Sequence, residues 1–221
     1  VGVLCISAAL GARCLAASLD ISPLERLVLA IGLGLGVIGL VVLGLGLLGL
    51  LYRWVFWLLW VVGVTISARR TRVLLRQALS DGIALPPGRL DRFLALVVGL
   101  TLLLSLLQAL MPATAWDSLT YQLTEPRLSI ETHRLAPVIE LPFLGFPALM
   151  RMLFTAGLLL KGAAVAQLLH WSTLLLVVAL LFAIGRRYFD ARTAWLSMAL
   201  ISSVPSVVLI ASWAYVDVAL M

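Results

Sequence analysis

The stretch "MPATAWDSLTYQLTEPRLSIETHRLAPVIELPFLGFPAL", residues 111–149, decides how this chain is read. It follows a long uncharged apolar run. Within a few residues it then sets Trp116, Asp117, Tyr121, Glu125 and Arg127. The surroundings make that polarity informative. Hydrophobic residues form 63% of the chain, charged residues only 12%, and Gly and Pro number 17 and 9. A soluble domain is nearer half apolar and a quarter charged. The composition therefore predicts an all-α polytopic transmembrane bundle, counted in apolar helices of about 20 residues.

The net charge of +6 does not point to nucleic acid. Most arginines stand in short segments between apolar runs, where they set orientation across the bilayer. Cys5 and Cys14 both lie in the first run without metal or redox spacing. The chain starts at Val1 and ends in "YVDVALM", which reads as the start of a further helix. It is expected to be a piece of a longer protein.

Working outward, residues 93–111 form an uncharged run that covers about 28 Å as a helix. Before it lies "ARRTRVLLRQALSDGIALPPGRLDR", residues 68–92, with Arg69, Arg70, Arg72, Arg76, Arg89 and Arg92 against Asp81 and Asp91. This is the strongest positive-inside signal, so it is expected as a cytoplasmic basic loop. The opening stretch then lies on the outer side. Residues 164–185 form another uncharged run, ending at Arg186, Arg187 and Arg192, a second cytoplasmic signal. For both basic segments to lie inside, residues 143–160 cannot also cross. Pro142 and Pro147 interrupt that segment, and Arg151 and Lys161 charge it. Residues 147–160 are therefore expected as a helix lying along the outer membrane surface. Residues 194–213 cross outward again, with Pro205 expected to kink them. Asp117 and Asp217 thus emerge on one face.

Towards the N-terminus, residues 1–18, interrupted by Arg13, and residues 27–51 and 54–68 complete about six spans. The domains read as N-terminal helices 1–67, basic loop 68–92, and a module 93–221 with outer loop 112–163. Gly32 and Gly36 have the small-xxx-small spacing that lets helices approach closely, and mark a surface for other membrane subunits.

The candidate chemistry sits in the outer loop. A carboxylate beside Trp116 at the lipid edge is partly desolvated, which suits Asp117 as a base. Tyr121, Glu125, Arg127, His133 and Arg134 are the candidates for substrate contacts, and guanidinium forks suit phosphate. Plainer roles stand beside these. Trp116 and Tyr121 fit belt aromatics, Asp117 fits a helix cap, and Arg127 with Glu131 fits a surface helix pair. His170 inside a span fits a polar packing contact better than lone ligation of a haem or chlorophyll. No metal-ligand set has convincing spacing.

Three stretches, "WDSLTYQLTEPRLSIE", "FPALMRMLFTAGLLLKGAAVAQLLHW" and "ASWAYVDVAL", resemble the membrane glycosyltransferases of the C superfamily. The likeness is to the bacterial dolichyl-phosphate-mannose-transferase-like and lipopolysaccharide-core-transferase-like groups, and covers residues 93–221. It implies a bacterial inner-membrane enzyme of the cell envelope. That enzyme would move a sugar from a polyprenyl-phosphate donor to an acceptor hydroxyl on the outer face, with inversion. The essential acid of that family maps onto Asp117, and a second onto Asp217. Some members use a divalent metal. Many carry His where this chain has Gln122. The alternative is a non-catalytic accessory transmembrane subunit of a larger complex, such as an electron-transport assembly.

Overall fold

A computed structural model of the protein describes residues 1–16, 18–80, 88–135 and 149–221. Among these residues every regular element is helical. The helices are α1 (Gly2–Cys14), α2 (Pro23–Leu47), α3 (Arg53–Ser80), α4 (Arg89–Ala109), α5 (Thr124–Glu131), α6 (Leu149–Leu160), α7 (Ala163–Tyr188), α8 (Ala191–Ser202) and α9 (Pro205–Ala211). A π-helical turn, Ser118–Gln122, precedes α5, and a short 3-10 turn, Asp217–Leu220, follows α9. The chain is a helical membrane bundle. Each expected span has a helix in its place. By length and apolarity, α2, α4 and α7 are each sufficient to cross a bilayer, and α8 with α9 would together form one bent span.

Local chemistry explains where the helices start. Ser22 caps α2. Its Oγ accepts from the Glu25 N–H at 3.2 Å, and Glu25 Oε2 accepts from the Ser22 N–H at 2.6 Å. Pro23, which lacks an N–H, fills the first helical position, where none is needed. Asp190 caps α8 through the Thr193 N–H at 2.7 Å. Pro205 does more than kink its helix. α8 stops at Ser202, and α9 restarts at Pro205 at 72°.

One expectation is corrected. The segment at 68–92 is not wholly a loop. α3 continues without a break to Ser80, so Arg69, Arg70, Arg72 and Arg76 stand on a helix, and Arg89 and Arg92 stand in the first turn of α4. Arginine is a good helix former, and no proline interrupts residues 53–80. The part at 81–87, with Asp81, lies outside the described residues, as do Glu140, Pro142 and Pro147. α6 is a short apolar helix covered by its neighbours: of its 12 residues only Leu149 and Leu158 are not buried. It is enclosed by α2, α3, α5 and α7. Leu153 and Phe154 join the central core with Leu35, Leu123, Ala166, Leu169 and Ala214.

Polar contacts mark the two ends of the bundle. At one end, Arg187 at the end of α7 donates to Glu25 and Asp20, both at 3.0 Å. There too Arg192 of α8 pairs with Asp91 of α4 at 3.4 Å. At the other end, the Leu51 N–H donates to His133 O at 3.2 Å, and the Leu135 N–H to Gly46 O at 3.0 Å. Gln167 Nε2 donates to Ala109 O at 2.9 Å and Met111 O at 2.8 Å. The acidic ends of α2 and α4 are therefore gathered opposite the segment that holds Asp117.

The glycines divide by role. α1 lies hard against α2. A Cβ on Gly34 would sit 1.9 Å from Ser7 O, and one on Gly11 1.9 Å from Ala30 O. Gly32 and Gly36, expected as the contact pair, meet nothing within 4 Å. Gly34→Val should therefore destabilise the bundle by about 2 kcal/mol or more, through overpacking against backbone that cannot move aside. Gly36→Val should change it by less than about 0.5 kcal/mol. Unfolding midpoints of the purified protein in detergent check the contrast.

Candidate functional site

α4 ends where Gln167 captures its last carbonyls, and the chain turns at residues 112–115 into Trp116 and Asp117. Asp117 makes no side-chain cap hydrogen bond, so the capping role is not the one it fills. It is half-buried, and the π turn after it projects Ser118, Tyr121 and Gln122 into the bundle. Single π turns are frequent at functional positions because they re-aim neighbouring side chains.

Ser118 is the anchor. Its hydroxyl is buried and donates to Ala214 O at 3.2 Å, a contact spanning 96 residues. His170 Nδ1 lies 2.7 Å from Trp213 O, so Nδ1 carries the proton and donates. The first bond holds Ala214 against the π turn, and the second ties Trp213 to α7. The phenol of Tyr215 then reaches both the backbone N–H and the carboxylate of Asp117. Tyr121, one turn along, meets the same carboxylate. Asp217 follows at the start of the 3-10 turn, exposed, with its charge felt at Tyr215. Burial, and after it the Asp117 carboxylate, push both phenols above the usual tyrosine value. Both tyrosines therefore stay protonated as hydrogen-bond donors around one acceptor.

Glu125 is otherwise engaged. It pairs with Arg151 of α6, which is 1% exposed although it sits in an apolar helix. A guanidinium that deep needs a partner, and Glu125 supplies it. Arg127 is exposed and is not within ion-pair distance of Glu131. His133 and Arg134 lie at the far end of α5. His133 adopts φ 58° and stacks on Tyr52 with ring centroids 4.0 Å apart. It fastens α5 to the tip between α2 and α3. Of the expected site residues, Asp117 and Tyr121 are brought together, and Asp217 lies two residues beyond Tyr215, which meets the same Asp117. Glu125 is diverted to Arg151, Arg127 stands exposed one turn beyond the π turn, and His133 and Arg134 stand apart.

Sequence reasoning missed Tyr215. The signal was present: "YVD" repeats the aromatic–acid pairing of "WDSLTY" on the same expected face. It also missed Arg151 as the partner of Glu125, although a lone arginine in an apolar helix calls for an acid. Gln122 is buried, and its Oε1 has no hydrogen-bond partner among the described residues. No three His, Cys, Asp or Glu side chains of the described residues converge as a metal-binding group.

Beside this cluster runs an apolar cleft of about 400 Å³ between α2 and α7. Gly32, Gly36, Leu153, Leu176, Val216 and Val218 are among its walls, so the residues flanking Asp217 form one edge. No family model, curated protein or solved structure matches the chain.

Two outcomes test this geometry. Glu125→Ala should cost about 3 kcal/mol, because it removes the carboxylate paired with a buried guanidinium. The double variant Glu125→Leu with Arg151→Met should recover much of that loss in the same unfolding assay. In Asp117→Asn, the ionisation of Tyr121 and Tyr215, read from phenolate absorbance, should fall towards the ordinary 10.0. The sign follows from linkage. A raised folded-state value means protons held more tightly in the native state, so this stability is present below pH 10 and lost as pH rises through the folded values.

Proposed function

We propose that this chain forms part of an integral membrane glycosyltransferase that takes its sugar from a polyprenyl-phosphate donor. The observation that carries the reading is the contact of Tyr215 with Asp117, two residues before Asp217, whose chain neighbours Val216 and Val218 line an apolar cleft. A long isoprenoid tail needs a groove open to lipid, and the reacting head needs a base at its rim. In this scheme the acceptor hydroxyl gives its proton to Asp117. Its oxygen attacks the anomeric carbon from the face opposite the phosphate, and inversion follows. The bond from that carbon to the phosphate oxygen breaks, and the polyprenyl phosphate leaves with the electron pair. Tyr121 and Tyr215 hold the carboxylate in line. Arg127, exposed one turn beyond the π turn, is the nearer candidate for the donor phosphate, and Arg134 the more distant. Asp217 orients the acceptor. The site faces the outer side of a bacterial inner membrane, with the end bearing Glu25, Asp91 and Arg187 in the cytoplasm, by the bias of arginine between the two ends.

A second reading draws on the same cleft. Gly32 and Gly36 leave open space on its wall, which suits the close approach of a helix from another subunit. The chain would then be an accessory subunit and Asp117 would have no catalytic duty.

The decisive assay uses the full-length protein, a polyprenyl-phosphate donor with labelled sugar, and membrane extract as acceptor source. Asp117→Asn should lower transfer by about 100-fold or more with the unfolding midpoint kept, the range of a lost general base. Transfer unchanged in that variant would sink the enzyme reading. Gly36→Leu separates the two readings. Loss of a copurifying membrane subunit favours the accessory role, and loss of donor binding alone favours the enzyme.

A further inference from the structure

The second half of α3 carries a surface that the proposed sugar transfer does not use. Its inward face is Ser67, Thr71, Leu74 and Ala78, all buried. Thr71 Oγ1 donates to Cys5 O at 2.7 Å, and Arg70 donates to Ala12 O at 3.0 Å. These contacts hold the helix rigidly against α1. The opposite face presents Arg69, Arg72 and Arg76, all exposed. At about 100° per residue they fall within roughly 60° of one another. Exposed apolar side chains border the stripe on both sides: Ile66 and Val73 on one, Leu75 and Leu79 on the other.

The depth of this stripe can be read from its neighbours. Leu74 and Ala78 pack with Ala8 and Leu27. Leu27 is half a turn from Glu25, the residue that pairs with Arg187 at the charged end of the bundle. Arg76 is therefore level with that pair, and Arg69 lies about 10 Å deeper along the helix axis. Among the described residues, the carboxylates at this end are engaged elsewhere, Asp190 with the Thr193 N–H. Glu25 and Asp20 pair with Arg187, and Asp91 pairs with Arg192. Among the described residues no carboxylate lies within ion-pair distance of Arg69, Arg72 or Arg76. A row of three guanidinium groups runs from the charged rim into the apolar zone, bordered by leucine, isoleucine and valine. It is complementary to a phosphodiester with acyl chains beneath it.

We propose that Arg69, Arg72 and Arg76 of α3 form a binding site for an anionic phospholipid, with the headgroup phosphate on the arginines and the acyl chains along Ile66, Val73, Leu75 and Leu79. The bordering apolar side chains distinguish this ligand from a soluble anion. Guanidinium forks match phosphate oxygens, and basic residues at a membrane surface each strengthen anionic-lipid binding. The site is at the bundle end opposite Asp117, so it stands or falls independently of sugar transfer.

The test is native mass spectrometry of the purified full chain, delipidated and then offered equal phosphatidylglycerol and phosphatidylcholine in detergent. The wild type should retain phosphatidylglycerol by roughly tenfold or more over phosphatidylcholine. The triple variant Arg69→Gln, Arg72→Gln, Arg76→Gln should lose that preference. Arg53→Gln, exposed at the other end of the same helix, should keep it. An unchanged preference in the triple variant overturns the proposal, as does equal loss in Arg53→Gln. Release of the bound lipid by millimolar inorganic phosphate also overturns it, because the site would then hold any soluble anion. Should the triple variant fail to fold, Arg72→Gln alone, at the centre of the stripe, should lower the preference about fivefold; no change there overturns the proposal too.

Discussion

The burial of Arg151 constrains most of what surrounds it. A guanidinium buried in the first turn of an apolar helix is tolerable only with a carboxylate close by and with the rest of the site shut from lipid. Glu125 is that carboxylate. The pairing draws α5 down onto α6, and α6 is in turn enclosed by α2, α3 and α7. Because α5 follows the π turn directly, the position of Glu125 also sets the position of Asp117 and Tyr121. α6, expected from charge parity as a surface helix, is covered by these neighbours and carries the ion pair among them.

Around that centre the ends of the long helices are closed by hydrogen bonds rather than by more apolar packing. Gln167, His170 and Ser118 each reach a backbone carbonyl of another segment. In a membrane, carbonyls left at helix ends and turns have little water to turn to, and a side-chain donor removes that cost. Each such bond contributes about 1 kcal/mol net, but its absence would cost more. Together they bring "WDSLTY" and "WAYVD" into contact. The opposite end is closed differently, by ion pairs on Arg187 and Arg192, which leaves the arginines of α3 without acidic partners among the described residues.

Much of this was legible in the sequence because lipid imposes simple rules. Apolar runs of sufficient length locate the helices, and the alternation of arginine-rich segments places their ends. That arithmetic put Asp117 and Asp217 on one face, and the two segments meet there. Legibility ended where the outcome depends on which side of a helix faces inward. Gly32 and Gly36 share the spacing of a packing motif with Gly34 standing between them, yet only Gly34 meets a neighbour's backbone. α3 runs past its apolar part because arginine favours a helix as readily as leucine does, a point that charge bias leaves open. The partner of Glu125 was hidden because Arg151, 26 residues away in sequence, is close only in space.

By itself the sequence determined that the chain is a helical membrane bundle, where its apolar runs lie, and which residues gather at each end. These follow from local composition and from the cost of placing charge in hydrocarbon. The tertiary structure alone decided that α6 is enclosed, that Glu125 belongs to Arg151, that Tyr215 joins Asp117, and that Gly32 and Gly36 line an open cleft. Those outcomes depend on helix rotation and on contacts between segments far apart in the chain. A linear pattern of polar and apolar residues constrains such contacts without selecting among them, because several pairings satisfy the same pattern and only close packing separates them.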